Sequence, residues 1–423
     1  MSDGGHLSRA ATHAGSDGYL PRLVDPWIAE ILDSAPAVMI TGPRAAGKTT
    51  TASRHARRVV RLDEESEVLA FRADPDAALR GLPEPVLLDE WQECPGVLGA
   101  VKRAVDSQRQ PGRFIIAGSV RTEFDPALWP GTGRLIRVAM HPLTAAERLG
   151  SGSRPFLSRL LDDAPPMPAP DTPDLRGYVE LAVVGGFPEP ATQLQGRVRD
   201  AWFETYLTQL TVHRPGPPNG PDPARIGAFF QAYAFNTAGV VNDATLAGTA
   251  GINHRTCVAY TRLLIDEGAI GQLPAWSSNL LKRLTRSPKR YVADTGLWAA
   301  AVSADASVVM SNGDLLGRLI ETFVVNQLRA ESVVDPCRPR LYHLRDREGR
   351  HEIDVIADLG ARGVIAIEIK AHSAPGARDA RHLLWLRDQL GHRFVAGAVL
   401  HTGPRHFRLT EGIEAIPISA LWG

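Results

Sequence analysis

Thr41-Gly42-Pro43-Arg44-Ala45-Ala46-Gly47-Lys48-Thr49-Thr50 follows the apolar run Ala37-Val38-Met39-Ile40 and leads into a helical pattern. The spacing is G-x-x-x-x-G-K-[ST], in the strand-to-helix setting that the pattern requires. Its glycines let backbone N–H groups turn inward around phosphate oxygens, and the helix that follows offers its positive N-terminal end. The stretch from Gly42 to Thr50 therefore reads as a cradle for ATP, with Lys48 on the β and γ phosphates and Thr49 on Mg²⁺.

A second stretch supplies what the first lacks. In Pro85-Val86-Leu87-Leu88-Asp89-Glu90 a buried strand ends in two carboxylates. Asp89 is expected to bind the Mg²⁺ through water. Glu90 is expected to orient or deprotonate the attacking water, since phosphoryl transfer is mostly positioning and charge stabilisation. A third apolar run ends in Ala117-Gly118-Ser119, which offers the Ser119 hydroxyl either as a sensor of the γ-phosphate or as a turn former. Arg134, in Gly131-Thr132-Gly133-Arg134, and Arg148 are candidates for transition-state stabilisation, Arg134 the better one. The alternative is a surface arginine after a flexible turn.

Around these motifs the chain alternates short apolar runs with amphipathic stretches, the mark of an α/β domain whose parallel sheet is covered by helices. At 423 residues and roughly 150 per domain, two or three domains are expected. The expected boundaries are an ATPase domain at 20–150, a linker and helical region at 151–222, a helix-turn-helix segment at 223–300 and an α/β domain at 301–423. Pro and Gly break the pattern at Asp163 to Pro170 and at Pro215 to Pro221.

Apolar residues make up 44% and charged residues 22%, as in a globular protein. No apolar run approaches the roughly 18 to 20 residues of a membrane helix, and the polar start, Met1 to Gly18, reads as a disordered lead-in to a cytoplasmic protein. Cys94, Cys257 and Cys337 lie far apart without C-x-x-C spacing, against a zinc site or a disulfide framework. Lys+Arg and Asp+Glu balance at 47 each, so total charge gives no support to a nucleic-acid partner and leaves a local basic patch open.

Asn242 to Ala247 opens like a capped helix, Gly251-Ile252-Asn253 is a turn, and Arg255 to Glu267 forms a second helix, together a helix-turn-helix arrangement. Ile270 to Trp276 and Lys289 to Val292 can pair as a wing carrying Lys282, Arg283, Arg286, Lys289 and Arg290. Such a wing would neutralise DNA phosphates. The alternative is a structural or dimer-forming module with solvated cations.

Farther on, Asp354 in one strand-like run and Glu368-Ile369-Lys370 in the next give D-x13-E-x-K. Side chains repeat every two residues in a strand, so Glu368 and Lys370 share a face and all three groups can converge. Two carboxylates holding Mg²⁺ or Mn²⁺, with a lysine that positions water, suit metal-dependent phosphodiester hydrolysis. The plain alternative is a charged hairpin face with a Glu368–Lys370 salt bridge. His351 and His372 flank the set as surface residues.

In order, GPRAAGKTT, VLLDEWQECP, FIIAGS, GTGRL and HPLTAAE resemble the AAA-type ATPases of bacteria and archaea that carry a C-terminal domain of unknown function 4143. The resemblance continues through Gly185-Gly186-Phe187-Pro188-Glu189, Ser287 to Leu297, Glu352-Ile353-Asp354-Val355 and Ile367-Glu368-Ile369-Lys370. It implies an ATPase with a winged-helix segment and a restriction-endonuclease-like end, in which Glu321 of the first helix adds a third metal-binding acid. Where that family usually has an arginine-aspartate pair this chain reads His213-Arg214-Pro215, so the acid is missing. ATP hydrolysis coupled to DNA binding and metal-dependent DNA cleavage is one reading. Its rivals are a nucleotide-driven switch acting on itself, as a homo-oligomer, or on a protein partner, and a DNA-binding regulator that does not cut.

Overall fold

The computed structural model describes residues 18–119, 133–152, 154–162, 166–212, 222–277, 287–346 and 349–423. The lead-in to residue 17, Gly131 and Thr132, the 213–221 stretch with Arg214, and Lys282, Arg283 and Arg286 lie outside them, as does the side chain of Ser119. The chain divides into two compact units: Arg22–Pro142 with Leu263–Ala269, and Leu143–Arg262 with Ile270–Gly423, the latter joined by the residues before Arg22.

The first unit is built on five strands, β1 (Ala37–Gly42), β2 (Arg58–Arg61), β3 (Val86–Asp89), β4 (Phe114–Ser119) and β5 (Ile136–Ala139). They form one sheet in the order β2-β3-β4-β1-β5, and every pairing is parallel. Parallel strands carry helices on both faces, which is why they read as unbroken apolar runs. Val86, Leu87, Leu88, Ile115 and Ile116 are all fully buried. Because all strands point one way, their C-terminal ends share one edge, where Gly42, Asp89 and Ser119 fall.

The second unit holds the helices Leu175–Val184, Gly196–Val212, Pro223–Phe235 and Asp243–Thr249, and the helix His254–Asp266 through Arg262. A hairpin of β6 (Ile270–Leu273) and β7 (Lys289–Val292) follows, antiparallel in register Ile270↔Val292 to Leu273↔Lys289. The long helix Gly313–Val334 then leads into β8 (Arg340–Arg345), β9 (Glu352–Asp358), β10 (Val364–Lys370), β11 (Phe394–His401), β12 (Phe407–Thr410) and β13 (Ile413–Pro417). This sheet runs β12-β13-β11-β10-β9-β8. It is antiparallel across β8, β9 and β10, parallel across β10, β11 and β13, and antiparallel again at β12. The helix Gly313–Val334 packs on β8 and β10, and the helix Arg381–Leu390 on β9, β10 and β11.

Two motifs of the resemblance lock together here. Asp294 caps the helix Thr295–Ala301 by accepting the Leu297 amide at 2.9 Å, and its other oxygen accepts the Gly186 amide at 2.6 Å. Phe187 packs against Trp202, Phe203 and Tyr206. These residues serve packing.

The Pro-rich start of the expected linker and helical region is docked, over its described part, on the last residues of the chain. Arg159 donates to the carbonyls of Ala420 and Gly423, Thr172 bonds the Ser419 hydroxyl at 2.8 Å, and Phe156 is fully buried. Proline rules out a helix or inner strand but not burial through backbone contacts. Glu331 anchors the same region by accepting the Phe156 amide at 2.7 Å.

Burial pushes the Glu331 carboxyl up to about 8 from 4.5, against the pull of the Phe156 amide and Arg159. The folded state therefore holds this proton more tightly than the unfolded chain does. Its contribution to stability is complete below the unfolded value and is lost as pH rises through about 8. Through that window this residue should tilt unfolding free energy downward by about 1.4 kcal/mol per pH unit. Thermal melts of wild type and Glu331→Gln across the window test this, and parallel pH dependences would refute it.

Candidate functional site

β1 ends where a backbone comes very close. A Cβ on Gly42 would lie 2.1 Å from the Met140 carbonyl oxygen, so no side chain fits. The Met140 amide in turn donates to the Thr41 carbonyl at 2.7 Å, continuing the β1–β5 pairing past Ala139. The bend then passes through Ala45 at φ 58° and Gly47 at φ 89° before the helix Lys48–Arg54 begins. Left-handed residues in such a bend turn successive amides to one side. Arg22 braces the bend by donating to the carbonyls of Ala46 at 2.8 Å and His141 at 2.7 Å.

Lys48 is buried and its Nζ donates to the Pro43 carbonyl at 2.8 Å, folding back over the bend. Burial draws its ammonium below the ordinary range while Glu90 and Asp89 pull it up. The Thr49 hydroxyl lies 3.1 Å from Asp89 Oδ1. Burial lifts the Asp89 carboxyl above its usual range, the Thr49 bond opposing. A buried ammonium, a hydroxyl and a carboxylate thus meet at one edge. They are groups that fit a triphosphate and a Mg²⁺ ion: Lys48 for the phosphates, Thr49 and Asp89 for the metal.

Glu90 follows at φ 50° and ψ 44°, a left-handed conformation uncommon for a residue with a side chain, and it accepts a hydrogen bond from Gln92 Nε2. Gln92 was not singled out by sequence. Ser119 pairs with Gly42 across β4 and β1, so its backbone stands on the same edge. Arg134 does not. It precedes β5, whose Ile136 pairs with Val38 near the start of β1, and its guanidinium is ion-paired with Asp106. Within its own unit it stands at the opposite edge of the sheet. Arg148 donates to the carbonyls of Leu181 and Gly185 at 3.0 and 2.9 Å, satisfying the end of the helix Leu175–Val184.

A contact that sequence reading missed lies beside the bend. Leu263–Ala269 belongs to the first unit, and Glu267 Oε2 is 3.9 Å from Arg44 Nε. A Cβ on Gly268 would come within 3.0 Å of the Pro43 nitrogen.

In the second unit Glu321, Asp354 and Glu352 gather about a protein cation, Lys289, while Glu368 pairs with Lys370. The antiparallel pairing of β9 and β10 runs up to Val355↔Ile367 and leads into Asp354 and Glu368. Asp354 Oδ2 accepts the Ile369 amide at 2.9 Å, and Lys370 Nζ donates to Glu368 Oε2 at 2.9 Å. Lys289 Nζ lies 2.8 Å from Asp354 Oδ1, 2.6 Å from Glu321 Oε1 and 3.6 Å from Glu352 Oε1. Tyr291 donates to Glu321 Oε1 at 2.7 Å. Burial and then Asp354 push the Glu321 carboxyl up to about 7, against Lys289. Burial also raises Asp354, but Lys289 and Lys370 overcome it and hold that carboxyl below its usual range.

This corrects the reading of the wing. Lys289 and Arg290 are each only 1% exposed, so neither reaches a phosphate. Arg290 points to the other side of β7, where it pairs with Asp243, donates to the Val241 carbonyl at 3.1 Å and lies over Tyr233. Nor do Glu321, Asp354 and Glu368 fit a divalent cation in this arrangement. Among the described residues no group of three His, Cys, Asp or Glu side chains is disposed to hold a metal. His351 stacks on Trp385 at 4.0 Å and His372 lies 3.4 Å from Asp379, so both are engaged away from the carboxylates.

The family model of an AAA domain matches residues 34–149, and that of a domain of unknown function (DUF4143) matches residues 316–421. Another domain of unknown function (DUF8612) matches residues 175–308. Uncharacterized proteins of Mycobacterium tuberculosis (Rv2008c) and Mycobacterium bovis (Mb2031c) are each 29% identical over 399 residues, covering 91% of this chain and 81% of the relative. Among solved structures, the Walker-type ATPase PABY2304 of Pyrococcus abyssi aligns with a TM-score of 0.40 at 15% identity, over 68% of this chain and 97% of that chain. No helix among the described residues is long and apolar enough to cross a membrane.

Proposed function

We propose, for a chain that carries an AAA-type ATPase domain and a domain of unknown function 4143, that Mg²⁺-dependent ATP hydrolysis is coupled to the binding of duplex DNA. Lys48 and the amides of the bend would hold the phosphates, and Thr49 and Asp89 would hold a Mg²⁺ ion, which when bound supplies charge neutralisation for phosphoryl transfer. Glu90 orients the attacking water. Its left-handed backbone and its bond from Gln92 favour that role, since strain retained at one residue tends to mark a functional position. Ser119 senses the γ-phosphate. Arg134 is reserved for a neighbouring copy's site, because in its own unit it stands at the wrong edge.

The observation that carries the coupling is the strip Leu263–Ala269. The helix His254–Asp266 runs on into the strip that contacts the phosphate bend through Glu267–Arg44 and Gly268–Pro43. Toward its start, the same helix exposes Arg255, Val258, Ala259 and Arg262, spaced as one stripe, while Cys257, Tyr260 and Leu264 face the core. The order helix, Gly239–Arg290 bridge, helix, helix and β6–β7 hairpin suits a winged helix, and such a stripe suits a major groove.

The mixed sheet β8 to β11, flanked by two helices, suits a restriction-endonuclease-like core, the second reading for this end. Cleavage requires a metal where Lys289 sits, so DNA binding without cutting is the reading favoured for the arrangement described.

Two measurements test the proposal. Duplex DNA should stimulate phosphate release by wild type, and the double variant Arg255→Ala/Arg262→Ala should bind DNA more weakly with its log–log salt slope reduced by about 2. No stimulation at low salt, together with a nucleotide-dependent change in mass, would favour the switch over DNA coupling.

A further inference from the structure

We propose that Lys289 is the resident cation of the Glu321–Asp354 pair, held by β7 in the place a divalent metal would take and excluding one while it stays. Alternation along β7 sends Lys289 and Tyr291 to one side, onto Glu321, and Arg290 to the other, onto Asp243. The strand is thus clamped from both faces by charge.

Burial makes a partner for the ionised acid necessary. Asp354 and Glu368 are 8% and 3% exposed, and buried carboxylates persist only when paired or hydrogen-bonded. Lys289 meets Glu321 and Asp354, and Lys370 meets Glu368. Both oxygens of Asp354 are occupied, one by Lys289 and one by the Ile369 amide. Glu368 Oε1 is buried without a hydrogen-bond partner. Mg²⁺ demands near-octahedral oxygen ligation, and one open oxygen does not provide it. Withdrawing Lys289 would free Glu321 Oε1 and Asp354 Oδ1, the two carboxylate oxygens that converge on its Nζ, for a divalent ion to share.

The inference concerns this cluster alone and stands whether or not ATP turnover is coupled to DNA. Its test is Mn²⁺ titration of the full chain without nucleotide, read by electron paramagnetic resonance. Wild type and Asp354→Asn should bind Mn²⁺ identically, since the cluster takes no metal. Lys289→Met, which keeps length and removes charge, should gain one Mn²⁺ per chain that is lost again in Lys289→Met/Asp354→Asn. Mn²⁺ binding by wild type that weakens tenfold or more in Asp354→Asn would overturn the proposal. A folded Lys289→Met that gains no Mn²⁺ would do so as well. Should Lys289→Met fail to fold, the comparison of wild type with Asp354→Asn decides alone.

Discussion

Lys48→Ala is expected to lower ATP turnover by at least about 100-fold, because removing one preorganised donor from developing charge costs about 3 to 4 kcal/mol. Lys48 is the buried ammonium of the bend, already aimed at a carbonyl oxygen of that bend by its 2.8 Å bond to Pro43. A triphosphate offers that ammonium better acceptors. Glu90→Gln should separate the two halves of the site by retaining ATP while losing turnover, since the role proposed for Glu90 is toward water and not toward the metal. Phosphate release and nucleotide retention measured on both variants check this. Turnover by Lys48→Ala within threefold of wild type would remove the assignment of the bend.

Gly42→Ala is expected to fail for a different reason. The added Cβ would meet the Met140 carbonyl oxygen at 2.1 Å, and that oxygen belongs to backbone held in place by the Met140–Thr41 bond. The sheet edge must open or the bend must shift. Overpacking of this kind costs about 1 to 3 kcal/mol or more, so the melting temperature should fall by about 5 °C or more and nucleotide should no longer be retained. A variant that melts with wild type would show that β5 does not run on beside Gly42.

The bend before Lys48 and the acid-tipped strand could be read from sequence because each is local. A phosphate bend needs its glycines and its lysine within one turn of chain, and a metal-binding acid must end a buried strand. The parallel sheet then brings the two halves to one edge. The wing was misread for the complementary reason. Lys289-Arg290 looks like a basic patch in any window of sequence, yet its meaning depends on what faces each side of β7. The partners are Glu321 and Asp354 on one side and Asp243 on the other, tens of residues away in the chain. The alternation of β7 was available in sequence, and asking which acids could meet residues 289 and 291 together would have raised the question.

The same limit applies to Arg134 and to the Pro-rich stretch. A guanidinium after a Gly-rich turn is equally plausible at either edge of a sheet, and only the Val38↔Ile136 register decides. Proline-rich sequence excludes regular elements, but it does not reveal that Arg159 and Thr172 find partners in the last residues of the chain.

The first unit is discontinuous, and that bears on where the protein can be cut. Severing the chain near residue 150 would leave the bend without Glu267 and Gly268, the piece that returns to it only after a long detour. Such a fragment would keep every motif residue and still expose Pro43 on a face that the intact protein covers. Supplying residues 263–269 as a separate peptide would have to overcome the entropy that the covalent detour has already settled.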